Sequence, residues 1–142
     1  MKKKVLIVIA NYYDNISNNL GVGAQTTLDM AKIKYSIKEV PGVFEIPVVI
    51  SRNIEKYDAF IALGCVIKGE TPHFDYISKT TFEGLMKLSI ENKKPIGNGI
   101  ITALNKEQAY ARMGDAERPK RLSKGKGKGE EAAKAVIAVL SQ

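Results

Sequence analysis

Tryptophan is absent from the 142 residues, cysteine and histidine occur once each, and aromatic side chains make up only 7% of the chain. Cys65 therefore has no partner for an intrachain disulfide, and one cysteine with one histidine cannot supply a structural zinc cage of nitrogen and sulfur ligands. No run approaches the ~18 consecutive apolar residues of a membrane span. Lys2, Lys3 and Lys4 followed by the apolar run Val5–Ala10 imitate the start of a secretory signal. The run is shorter than the ~7–15 residues of a signal core, and no small-residue cleavage site follows it. These absences point to a cytoplasmic chain with one domain over residues 1–142, no metal and no membrane contact. A chain of this length buries roughly two thirds of its extended-chain surface and needs no staple to fold.

Charge is what the chain has in excess. Lys and Arg number 22 against 15 Asp and Glu, for a net charge of +7. Most of that excess lies between Arg112 and Lys128, where seven basic residues meet two acidic ones. A nucleic-acid tail is the first reading of such a segment. Against it, the segment has no interleaved aromatics and no recognition motif, so a solvated basic loop at about 114–128 is the simpler expectation.

The apolar pattern alternates strand and helix. Val5–Ala10 and Ala59–Val66 are continuous apolar runs, as strands buried on both faces require. Ile16, Leu20, Ala24, Leu28 and Ala31 recur at helical spacing. Tyr35–Val40 reads as a second strand closed by Pro41-Gly42. Pro47 suits the first turn of a helix reaching about Lys56. Phe74, Ile77, Phe82, Leu85 and Leu88 mark a long helix to about Asn92, Ile96–Leu104 a fourth strand made unusual by Gly97 and Gly99, and Lys106–Met113 a short helix. Ala132, Ala133, Val136, Ile137 and Leu140 mark the last helix. The order predicts an α/β three-layer sandwich: a four-stranded parallel sheet flanked by helices on both faces. In such a sheet ligands bind beyond the carboxyl ends of the strands.

The chain's unusual residues gather at those ends. His73, the only group that ordinarily titrates near neutrality, lies in Lys68-Gly69-Glu70-Thr71-Pro72-His73, a strand-to-helix loop whose free N–H groups suit a phosphate. A lone histidine is more often a surface or helix-capping residue than a catalytic one. Glu45 in Val-Pro-Gly-Val-Phe-Glu-Ile-Pro is either a helix-start glutamate favoured by the dipole or a carboxylate awaiting hydroxyl donors. Of Tyr12 and Tyr13, one can stack on a heteroaromatic ring while at least one packs on the core. Gly21-Val22-Gly23 falls inside a helix, so it is no dinucleotide fingerprint, and Lys-Gly-Lys-Gly-Lys-Gly follows no strand, so it is no phosphate loop. Cys65 has no second histidine to activate it and reads as a small apolar filler.

The blocks VPGVFEIP, YDAFIALGCVIKGETPHFDYIS, GNGIIT with EQAYAR, and KGEEAAKA together resemble the lumazine synthase family, in register from about Val5 to Leu140. The resemblance implies a flavodoxin-like fold and an assembly of pentamers, free or paired, with active sites between subunits. It implies condensation of 5-amino-6-(D-ribitylamino)uracil with 3,4-dihydroxy-2-butanone 4-phosphate to 6,7-dimethyl-8-ribityllumazine, phosphate and water. No cofactor is implied, and functional coupling to a riboflavin synthase fits the product. Carried over by position, Tyr12 would stack on the pyrimidine. Val43, Phe44 and Glu45 would hold the ribityl chain, and Val66 and Ile67 would line the ring pocket. Glu70 and Thr71 would bind the phosphate and His73 would shuttle protons. Asn98 stands where many members have phenylalanine, and Arg112 and Lys128 match the family's phosphate-binding cations, with Arg112 reaching in from the adjacent subunit. Asn11-Tyr12-Tyr13 replaces the usual Arg-Phe-Asn.

Three other readings compete. A pentameric riboflavin synthase leaves the phosphate loop and Arg112 without a task, and a non-catalytic flavin-binding or shell protein has no need of His73, Arg112 and Glu45 together. A specific nucleic-acid binder lacks a motif, although loose RNA association at low salt is expected of clustered basic loops. Bulk and like charge at 114–128 disfavour closure of sixty subunits into a shell.

Overall fold

The computed structural model describes residues 2–114 and 127–142. Strands β1 (Lys4–Ala10), β2 (Lys34–Val40), β3 (Ala59–Ile67) and β4 (Ile96–Ala103) form one parallel sheet in the order β2-β1-β3-β4. Helices α1 (Asp14–Met30), α4 (Lys106–Arg112) and α5 (Lys128–Leu140) cover one face, and α2 (Ile46–Arg52) and α3 (His73–Asn92) cover the other. This is the expected flavodoxin-like three-layer architecture.

Alternation along β1 and β3 feeds two cores. Val5, Ile7, Ile9, Ala59, Ile61, Leu63 and Cys65 meet Leu20, Ala24, Leu28, Ala133 and Val136 on the α1/α5 side. Leu6, Val8, Ala10, Phe60 and Ala62 meet Val43, Ile46, Ile50 and Leu85 on the α2/α3 side. Val5–Ala10 of β1 and Ala59–Cys65 of β3 carry no polar side chain because neither face of these stretches sees water.

The differences from the sequence reading are local. Helix α2 stops at Arg52, four residues short of Lys56. There the Asn53 side-chain amide donates to the Val49 carbonyl at 2.7 Å, and tight turns take over, with Asn53 N–H bonding Ile50 O and Ile54 N–H bonding Ser51 O. Ala31 follows the end of α1 and is exposed rather than buried. Leu104 and Met113 lie just past the ends of β4 and α4. The basic insertion expected at about 114–128 falls largely outside the described residues. Its two flanks meet: a Cβ on Gly127 would stand 2.7 Å from Gly114 Cα, and Gly114 takes a φ of 84°. The chain leaves and re-enters the fold at one point.

Glycine permits the closest approach in the structure. A Cβ on Gly129 would overlap the Leu20 carbonyl of α1, and one on Gly97 would overlap the Ala132 carbonyl of α5. Helix α5 thus lies against both α1 and β4 with almost no side-chain spacer.

Two predictions follow from this packing. Gly129→Ala drives a methyl into backbone and lowers unfolding free energy by about 1–3 kcal/mol in a denaturant titration, whereas Gly69→Ala, which meets no atom within 4 Å, leaves it unchanged or raises it by ~0.4–1 kcal/mol. Burial pushes the Cys65 thiol up to about 11. At pH 8 the native protein then reacts with iodoacetamide roughly a hundredfold more slowly than the unfolded chain, whose thiol titrates near ~8.5, with the difference closing as pH rises toward 11.

Candidate active site

Each strand delivers its share of the site through the turn that follows it. After β1, the Ser17 hydroxyl donates to Ala10 O at 2.5 Å and its N–H to Tyr13 O at 2.9 Å, which fixes the turn between strand and α1. This divides the tyrosines. Tyr13 packs on the α1/α5 core and its phenol is raised by burial, then by Cys65 and Tyr12. Tyr12 stands 76% exposed, edge-on to Tyr13 with ring centres 4.9 Å apart. Tyr12 is thus the ring left free to stack on a ligand.

After β2, Pro41 and Gly42 lead into a single 3-10 turn, Val43–Glu45, which runs straight into α2 with Pro47 in the first turn. Val43 is buried in the α2/α3 core, Phe44 is 56% exposed, and the turn packs against α3. Glu45 is half-buried, and its carboxylate lies over Gly42, since a Cβ there would sit 3.3 Å from Oε1. Among the described residues, no donor bonds that carboxylate.

After β3, Val66 packs with the α2/α3 core, whereas Ile67 packs against the α1/α5 core on the opposite face. Only the backbone of Ile67 can share a pocket with the Val66 side chain. Residues 68–72 then form an exposed loop into α3. Thr71 Oγ1 accepts the N–H of His73 at 3.4 Å, and the N–H groups of Gly69, Glu70 and Thr71 reach no acceptor among the described residues. His73 opens α3 and is exposed, with its imidazole unbonded among the described residues. Free N–H groups at a helix head favour an anion.

The remaining three predicted residues stand apart. Asn98 pairs level with Ala62 in mid-sheet, and Val66 pairs four residues higher, with Thr102, a rise of about 13 Å. The Asn98 side-chain oxygen Oδ1 accepts the N–H of Ile100 at 3.0 Å. That N–H faces the open edge of β4, because the carbonyls of Pro95 and Ala103 are the ones turned toward β3. Arg112 ends α4, and Lys128 begins α5, where it pairs with Glu131 at 3.9 Å. The meeting of Gly114 and Gly127 brings these two cations to the same corner of the molecule. No hydrogen bond or ion pair among the described residues joins Asn98, Arg112 or Lys128 to Tyr12, Glu45, Thr71 or His73. A groove of about 530 Å³ opens between α1 and β2, lined by Asn11, Asp14, Asn15, Ser17 and Glu39, and holds none of the residues to which the resemblance gives a catalytic or substrate-binding role.

Two polar residues escaped the sequence reading. Asn105 caps α4 by accepting Gln108 N–H at 2.9 Å, and the Gln108 side chain accepts Leu104 N–H at 2.8 Å. The Asn-x-x-Gln spacing is the signal that carried them.

The model of the 6,7-dimethyl-8-ribityllumazine synthase family matches residues 2–142. Proteins named 6,7-dimethyl-8-ribityllumazine synthase from Bartonella tribocorum, Bartonella henselae and Afipia carboxidovorans are 43%, 42% and 42% identical to it. These alignments cover 98%, 99% and 96% of this chain and 92%, 88% and 83% of the respective relatives. With the fold, the residue blocks and these matches in agreement, the chain belongs to the 6,7-dimethyl-8-ribityllumazine synthase family.

Proposed function

We propose that the turns at the carboxyl ends of β1, β2 and β3 bind both substrates of the family reaction, and that a second subunit completes the site with Asn98, Arg112 and Lys128. The chain condenses 5-amino-6-(D-ribitylamino)uracil with 3,4-dihydroxy-2-butanone 4-phosphate to 6,7-dimethyl-8-ribityllumazine, releasing phosphate and water, as a transferase of riboflavin biosynthesis.

The observation that carries the site assignment is the Glu45 carboxylate, half-buried and without a donor among the described residues. A partly desolvated carboxylate needs hydrogen-bond donors, and the hydroxyls of a ribityl chain supply them. The exposed rings of Tyr12 and Phe44, on the turns after β1 and β2, offer apolar faces to a flat heterocycle, and Val43 and Val66 belong to the α2/α3 core. The pyrimidine edge pairs with the backbone at Val66 and Ile67. The free N–H groups of Glu70 and Thr71 receive the phosphate, with the Thr71 hydroxyl as a further donor.

Joining an amine to a ketone forms a C–N bond while the nitrogen loses a proton and the carbonyl oxygen gains one. Loss of that oxygen as water, with a second proton from the nitrogen, then leaves C=N. One imidazole at His73 serves these transfers, taking protons from nitrogen and returning them to oxygen. Removal of the proton on the hydroxyl-bearing carbon next to C=N then supplies the electron pair that forms a C=C bond and expels phosphate with the pair of its C–O bond, and the loop N–H groups with Arg112 and Lys128 stabilise the leaving anion. No protein nucleophile is called for, in keeping with the inert Cys65.

The mid-sheet level of Asn98 and the separate corner that holds Arg112 and Lys128 favour a homopentamer, free or paired, in which one subunit's β4 edge and α4–α5 corner face the neighbour's Glu45 and His73. The enzyme works in the cytoplasm, beside a riboflavin synthase that consumes its product.

Lumazine absorbance and released phosphate, followed together on mixing the two substrates with purified protein, test the activity. His73→Ala lowers kcat by about 10²–10⁴-fold yet leaves turnover measurable, because substrate alignment supplies the rest of the acceleration. Undiminished turnover sinks the proton-shuttle role. Light scattering gives about 78 kDa, five times the 15.6 kDa chain, or twice that for paired pentamers, and a mass near about one megadalton contradicts the open assembly.

A further inference from the structure

We propose that Gln108, held by Asn105, is the positioning residue that sets Arg112 for the substrate phosphate. The proposal rests on the assignment of Arg112 to that phosphate.

Helix α4 has seven residues, too few to hold its direction through its own hydrogen bonds. Its one buried side chain is Ala109, which pins the middle of the helix to the α1/α5 core without fixing how the helix turns about that point. Orientation comes from Gln108, which makes three bonds with three different groups. Its N–H donates to Asn105 Oδ1 at 2.9 Å, its side-chain oxygen accepts Leu104 N–H at 2.8 Å, and its carbonyl accepts Arg112 Nη1 at 2.9 Å. Leu104 directly follows the last residue of β4. A continuous path of hydrogen bonds therefore runs from the end of the sheet through Gln108 to the guanidinium one turn further on.

This arrangement settles in advance a cost that an arginine ordinarily meets on binding, the ordering of its long side chain. The bond to the Gln108 carbonyl engages one of the five guanidinium N–H groups and leaves four, more than the two that a bidentate phosphate contact uses. Loss of the Gln108 anchor leaves the charge of Arg112 in place and loosens its aim. The penalty falls on binding of the phosphate-bearing substrate, not on the proton transfers at His73 or on the pyrimidine.

Steady-state kinetics on the assembled enzyme tests this with Gln108→Met, which keeps the length and helix preference of the side chain and removes its acceptor. The KM for 3,4-dihydroxy-2-butanone 4-phosphate rises about threefold to tenfold, while the KM for the pyrimidine stays within about twofold. Asn105→Ala acts in the same direction, and Asn105→Asp, which retains the cap, stays near the parent enzyme. Arg112→Ala raises the same KM about tenfold or more, and Gln108→Met adds nothing on that background. If Gln108→Met raises both KM values alike, or multiplies its full factor onto Arg112→Ala, Gln108 merely stabilises the fold and the proposal is overturned. An Arg112→Ala enzyme with unchanged KM values overturns instead the assignment of Arg112 to the phosphate. Should Gln108→Met fail to assemble, the Asn105→Ala and Asn105→Asp pair carries the same comparison.

Discussion

Val5–Ala10 of β1 and Ala59–Cys65 of β3 are shielded from water on both faces, and the placement of the strand-end turns follows from that requirement. A sheet wrapped on both sides by its own connections is parallel, with a helix in each crossover. All four strands then point one way, and the turns that follow them collect at one end. Tyr12, Glu45 and His73, separated by tens of residues in the chain, share that end for this reason. Close packing of α5 on α1 and β4, through Gly129 and Gly97, locks the far side of the sandwich and leaves the outer part of the α2/α3 face free at β4, where Asn98 and Thr102 are exposed.

The layered fold was legible in the sequence because burial on two faces writes itself as unbroken apolar runs, as at Val5–Ala10 and Ala59–Val66. What was illegible depended on height and direction. Asn98 belongs to a motif in the chain, but its level in the sheet is set by pairing with β3, and no local pattern encodes that register. Ile67 follows Val66 in sequence yet faces the other core, a consequence of strand alternation continuing to the very end of β3. The choice between Tyr12 and Tyr13 was made by Ser17, whose two bonds back to Ala10 and Tyr13 fix the turn. Asn53 ended α2 by bonding its own helix, a competition that apolar periodicity does not register.

Under the proposed function the chain carries two half-sites. One, on the turns after β1, β2 and β3, would recognise the ribityl chain and carry the proton chemistry. The other, on β4, α4 and α5, would bring cations to the leaving group. Such a division would tie catalysis to assembly, because no bond among the described residues joins the two halves within one subunit.

The contact between Gly114 and Gly127 has a consequence for how this chain tolerates change. Where the two ends of a segment already touch, the entropy of closing it rises only with the logarithm of its length, by about 0.6 kcal/mol for each doubling. The closure cost therefore sets little limit on how many residues stand between these glycines, and the junction can serve as a splice point at which chain length changes while the α4–α5 corner keeps its shape.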